Sequence, residues 1–138
     1  MVKFNPKDKL ISRDQYQADC QSAGAVGLVL QMITPCLLFQ EKEQCKLTLL
    51  GGTHVNYSPT MFPVEHVLIP ALKKMGINLQ LSIHGYGFYP DIKGKVEVIV
   101  PAIRSPIQPI GLLERGSAQP KKLMIRVKPA DPVSQGYY

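Results

Sequence analysis

Residues 64–83 read VEHVLIPALKKMGINLQLSI, and within them the hydrophobic period changes once. Val64, Val67, Leu68, Ala71, Leu72 and Met75 recur at spacings of three and four, which is one apolar stripe along a helix. Pro63 falls at the first position of that helix, where its missing N–H costs nothing. Lys73 and Lys74 suit the carbonyl end, and Gly76 is the stop signal. From 78 to 83 the period drops to two: Leu79, Leu81 and Ile83 alternate with polar neighbours, as in a strand with one buried face. A helix over 64–75 handing over to a half-buried strand predicts a layered α/β domain.

Working outward, residues 84–89 lead to a turn at 91–94 and a second apolar run at 96–100, which predicts an antiparallel hairpin. Upstream, 46–50 reads as a strand ending in Gly51, Gly52 and Thr53. Before it, SAGAVGLVLQMI at 22–33 predicts a helix capped by Ser22 and ended or kinked by Pro35. Gly24 and Gly27 each cost that helix about 1 kcal/mol against alanine, so packing must justify them. Residues 2–5 predict a short first strand, 6–21 a polar irregular stretch, and 123–127 one further strand before a frayed end. The order β, α, β, α, β, β predicts an α/β (α+β) fold. It consists of one four-stranded mixed sheet with helices 22–33 and 64–75 on the same face and right-handed parallel crossovers.

The chain has 138 residues, the size of one domain. With 45% hydrophobic and 19% charged residues it is no disordered polymer, and 11 glycines with 12 prolines are too many for a simple helical bundle. A net charge of +6 favours anionic partners without saying which. Cys20, Cys36 and Cys45 form no CxxC pair and are odd in number, which predicts reduced intracellular thiols. The opening MVKFNPKDK has no apolar leader segment, and the oily run 23–39 is interrupted by Gln31, Thr34 and Pro35. No membrane association is expected.

The segments ADCQSAGAVGLVLQMITPCLLF (18–39), LLGGTHVNYSP (49–59), VLIPALKKMG (67–76), GYGFYP (85–90) and LLERG (112–116) stand in order with few length changes. Together they resemble the RNA 3′-terminal phosphate cyclase family. The resemblance implies a large domain of repeated βαβαββ units, like the C-terminal domain of translation initiation factor three, with a smaller thioredoxin-like insertion. It implies ATP and a divalent metal, Mg or Mn, used to convert an RNA 3′-phosphate to a 2′,3′-cyclic phosphate through an adenylated histidine. On this reading residues 1–116 are a single cyclase-like repeat and 117–138 a divergent basic extension. The chain departs from the family pattern at Phe62 and Pro63, where Asp-Tyr is common. It departs again at Ile92, Lys93, Gly94 and Lys95, where Gly-Gly-Gly-Glu is common, and in the altered turn around Gln21, Ser22 and Ala25.

The resemblance carries over a few residues. Gln31 matches a helix glutamine that contacts the nucleotide, and an amide in an otherwise apolar helix needs a partner; a place on the helix's solvent edge is the other reading. Pro59 matches a proline of the adenine pocket, or simply stiffens the loop. Asp19 faces substrate or metal, or folds its own loop. Gly51, Gly52 and Thr53 stand at the crevice end of the sheet, where open amides take anions, or else serve a tight turn. Lys93 and Lys95, with Lys121 and Lys122, are candidate RNA contacts, and Tyr86, Phe88 and Tyr89 candidate stacking surfaces. The family's nucleophile belongs to a segment beyond these residues, so His54, His66 and His84 receive no catalytic role. They lie on separate elements and predict no metal triad.

Two functions follow. The first is a member or fragment of an ATP-dependent cyclase, a ligase-class enzyme of RNA processing, inactive as this chain alone. The second is a non-catalytic RNA- or protein-binding module, as in the family's branch for ribosomal RNA maturation. Either is expected in the nucleus (nucleoplasm) or cytoplasm, and an isolated repeat is expected to self-associate through exposed faces.

Overall fold

The computed structural model describes residues 12–90, 94–114 and 116. In chain order the elements are β1 (Gln15–Asp19), α1 (Val26–Leu38), β2 (Gln44–Gly51), α2 (residues 61–74), β3 (Gln80–Gly85) and β4 (Gly94–Pro101). The four strands form one mixed sheet in the order β1-β2-β4-β3. β1 and β2 run parallel, and β4 is antiparallel to both of its neighbours. The segments 46–50 and 78–83 therefore fall in one sheet, one strand apart, as their patterns predict.

The period of two becomes a layer. Cys45 faces Val100, Leu47 faces Val98 and Leu49 faces Val96 across the β2–β4 ladder, and all six are buried. Val26, Leu30, Leu37 and Leu38 of α1 and Met61 and Val64 of α2 close over that face, forming a single core. Each fully buried aliphatic side chain contributes roughly 1.5–3 kcal/mol. The opposite sheet face is open and carries Lys46, Thr48, Ser82, His84, Lys95 and Glu97 at the alternate positions.

Several boundaries differ from expectation. The first described strand is QYQAD at 15–19, inside the stretch expected to be irregular. It is a half-exposed edge whose outward residues are polar, so its apolar alternation is weak. α1 begins at Val26 with Ala25 as its cap residue and no side-chain cap. Ser22 instead donates its hydroxyl to the Cys20 carbonyl at 3.0 Å. The start is set by tertiary pairing: Gly52 N–H donates to the Gly24 carbonyl at 2.9 Å and Val26 N–H to the Gly52 carbonyl at 3.0 Å. Pro35 does not end α1, which continues to Leu38. The buried Leu37 and Leu38 hold the last turn onto the sheet and offset the backbone bond that proline forgoes.

α2 begins three residues earlier than expected, so Pro63 is its third residue, still in the first turn where N–H groups lack partners. Its middle, Val64–Leu68, widens into a π turn in which Ile69 N–H reaches the Val64 carbonyl. Pro70 supplies a physical reason: it has no N–H for the carbonyl four residues back, and its ring crowds that carbonyl. The expected strands at 2–5 and 123–127, and the extension 117–138, lie outside the described residues.

Candidate functional site

Gly27 determines how α1 meets the loop after β2. A Cβ there would stand 2.8 Å from the Pro59 carbonyl oxygen, so only glycine allows the helix to approach this closely. Gln31 lies one turn further on the same side of α1. A groove of about 550 Å³ opens between α1 and α2, and Gln31 and Pro59 both line it, with Leu30, Thr34, Pro63 and Val67. Thr34 donates its hydroxyl to the Leu30 carbonyl at 2.7 Å. The exposed Gln31 amide is thus the polar side chain this apolar groove offers a ligand. The groove can enclose a flat, largely apolar group and pair one of its edges. Its lining carries no cation for a phosphate.

Of the two readings of residues 51–53, amides open to anions or glycines serving a tight turn, the strand-end loop does not support the first. Gly52 N–H goes to the Gly24 carbonyl, and the N–H groups of Thr53 and His54 both donate to the Gly87 carbonyl at 2.9 Å. These donors are spent on holding the loop against Gly24 and Gly87. Thr53, only 1% exposed, accepts the Gly87 N–H on its hydroxyl at 2.9 Å. Beside it the His54 ring stands edge-on to Tyr86 at 5.3 Å and tilted on Phe88 at 5.0 Å.

The remaining sequence candidates scatter. Asp19 ends β1 and accepts the Gln21 N–H at 2.9 Å, so its carboxylate folds its own loop. Lys95 lies on the open sheet face with its ammonium 3.3 Å from Glu97. Lys93 lies outside the described residues. Glu97 also meets Lys46 at 2.9 Å and His84 at 3.0 Å. Hydrogen bonds from Lys46 first, then Lys95 and His84, hold its carboxyl at about 2, against an opposing push from desolvation. His66 stacks edge-on against Phe62 at 4.4 Å and lies 3.6 Å from the Glu65 carboxylate. Among the described residues no three His, Cys, Asp or Glu side chains converge to hold a metal. Burial, and then the Asp19 charge, raises the Cys20 thiol pKa.

Sequence reasoning missed Thr53 as an anchor, because the residue it secures is 34 positions away. It also missed Glu97; the Lys95/Glu97 alternation was visible, but the cross-strand Lys46 and His84 were not.

The fold and site define the class: an α/β unit of βαβαββ order whose apolar groove lies between its two helices. The chain belongs to the RNA 3′-terminal phosphate cyclase family, whose family model matches residues 1–134. It is 42% identical over 99 residues to an RNA 3′-terminal phosphate cyclase of Nostoc punctiforme, covering 71% of this chain and 28% of that protein. It is 32% identical over 114 residues to a probable RNA 3′-terminal phosphate cyclase of Dictyostelium discoideum, covering 82% of this chain and 26% of that protein. A Drosophila melanogaster cyclase is 32% identical over 115 residues, 83% of this chain and 29% of that protein. The chain thus spans little more than a quarter of the length of these relatives. Among the described residues no helix is long and apolar enough to cross a membrane.

Proposed function

We propose that this chain is the nucleobase-seating unit of an ATP-dependent RNA 3′-terminal phosphate cyclase, acting in RNA processing in the nucleus or cytoplasm. The observation that carries this reading is that Gln31 and Pro59, 28 positions apart in sequence, line one groove. The groove suits the base of ATP: apolar walls cover its faces and the Gln31 amide pairs its edge. It suits the phosphates less, because its lining has no cation and the nearby amides of Gly52, Thr53 and His54 are taken. ATP, with its divalent metal, supplies the activated adenylyl group; this chain's residues bind and orient the base. None of His54, His66 and His84 lines the groove, and the family resemblance gives none of them the nucleophile's role.

The chain alone is therefore expected to bind ATP no more tightly than about 1 mM, about −4 kcal/mol. It should form no stable protein–AMP adduct, since covalent adenylation needs a positioned nucleophile. Titration with ATP, with Gln31→Ala as control, tests the seat. Millimolar binding lost in Gln31→Ala supports it, and binding indifferent to that change overturns it. Labelled ATP with metal, followed by denaturing electrophoresis, tests the second expectation; a stoichiometric protein–AMP band overturns it.

The basic side chains of Lys46 and Lys95 on the open sheet face favour a second reading, a non-catalytic RNA- or protein-binding module. Its basic contacts would be Lys95 with Lys93, Lys121 and Lys122, so its RNA affinity would fall steeply with salt. Self-association through the exposed helix faces belongs to either reading.

A further inference from the structure

A second cavity, about 400 Å³, shares no lining residue with the groove. Ala23, Ala25 and Leu28 line one part of it, Val55, Asn56 and Ser58 another, and Tyr57 and Tyr89 complete it. Tyr57 is fully exposed and Tyr89 is 74% exposed. Tyr57 also holds a left-handed backbone, φ 60°, a conformation that Gly or Asn adopts readily and a bulky aromatic does not. Asn56 is the immediate neighbour, yet the tyrosine takes the left-handed position and its ring stands in water. Two solvated phenol rings gain nothing from the core, whereas strain of this kind concentrates at ligand sites.

The chemistry of the cup is specific. It carries no charged residue. The Ser58 hydroxyl is already donated to the Pro59 carbonyl at 3.3 Å, leaving the Asn56 amide, beside the two phenol hydroxyls, to pair with a ligand's edge. Exposed aromatic faces beside a neutral amide suit an unpaired nucleobase: the rings stack on it and the amide meets its edge. A free nucleotide would find no cation here for its phosphates. A base on a strand already held elsewhere arrives at high effective concentration.

We propose that the Tyr57–Tyr89 cup seats one unpaired base of a single-stranded RNA by stacking, with little sequence preference. This rests on the reading that RNA is the macromolecule this chain meets, and is independent of the nucleotide groove. The chain has six tyrosines and no tryptophan, so its ultraviolet fluorescence reports tyrosine alone.

The test is fluorescence titration of the 138-residue chain with single-stranded hexaadenylate, an abasic strand of the same length, and an RNA duplex. Hexaadenylate should quench and the other two should not. Tyr57→Ala and Tyr89→Ala should each weaken binding at least about fivefold, while Tyr57→Phe and Tyr89→Phe retain it. Both side chains are exposed, so circular dichroism should be unchanged. Absence of quenching, equal quenching by the abasic strand or the duplex, or alanine variants that bind like the parent would each overturn the proposal. Gln31→Ala should leave the hexaadenylate signal intact, and ATP binding indifferent to Gln31→Ala beside retained stacking would count against the groove alone. The reverse result would count against the cup alone.

Discussion

Thr53 ties two loops together with one buried side chain. Its hydroxyl accepts the Gly87 N–H at 2.9 Å and lies 3.0 Å from His54 Nδ1, while its own N–H and that of His54 return to the Gly87 carbonyl. Thr53→Val keeps the volume and the β-branch but leaves the Gly87 N–H without an acceptor. The expected loss is about 1–3 kcal/mol, the cost of a buried unsatisfied donor. Thr53→Ser, which keeps the hydroxyl, should lose less. Urea denaturation of the three proteins measures the order, and a Val variant as stable as the parent would refute this role. The reason the sequence misleads here is physical. A Gly-Gly-Thr run at a strand end advertises free amides, but every buried N–H must be paired, and its partner comes from a loop 34 residues away.

At the level of elements, β4 is the middle of the fold: one face supplies Val96, Val98 and Val100 to the core, and the other presents Glu97. Lys46 on β2 and His84 on β3 reach Glu97 from either side, and Lys95 from its own strand. Its carboxyl therefore titrates at about 2 instead of the ordinary 4.5. Between those values the unfolded chain binds the proton and the folded chain does not. The contribution is fully present above about pH 4.5 and is lost as pH falls toward 2. Glu97→Gln should accordingly flatten the fall in thermal midpoint between pH 5 and pH 2.5, relative to the parent; parallel curves would refute the coupling. The same strands show what was legible. The alternation at 79–83 and 96–100 and the three-and-four spacing of α2 yield the sheet and its helical cover, because a deep core imposes its period on sequence. β1 was missed because its edge position half-exposes it. The ends of α1 were missed because Gly52 and the core override local capping and Pro35. That Gln31 and Pro59 line one groove is not legible in local sequence, since it depends on the close packing at Gly27.

For the molecule as a whole, the decisive feature is the outward side of the helical layer. Residues 20–40 contain no charged side chain. Met32 and Phe39 are about two-thirds exposed or more (71% and 68%), and Val67 of α2 is 66% exposed beside the groove. Exposed apolar side chains along an uncharged helix call for a covering partner. The curated relatives have three to four times the matched length, 26–29% of each being covered, but a solution of this chain alone supplies only more copies of itself. The faces of two copies are self-complementary in the simplest sense, apolar against apolar, which suits a two-fold dimer. The net charge of +6 opposes that approach, and added salt screens the repulsion. Sedimentation equilibrium should therefore show a mass that rises with concentration and rises further with salt. Met32→Lys combined with Phe39→Lys should hold the chain monomeric with its circular dichroism unchanged, both sites being exposed. Salt separates this contact from RNA binding, which neutralises phosphates and weakens as salt rises. A chain that stays monomeric from micromolar to millimolar concentration at high salt would sink the prediction. An association that weakens with salt would mean that charge, not the uncharged α1 face, holds the copies together.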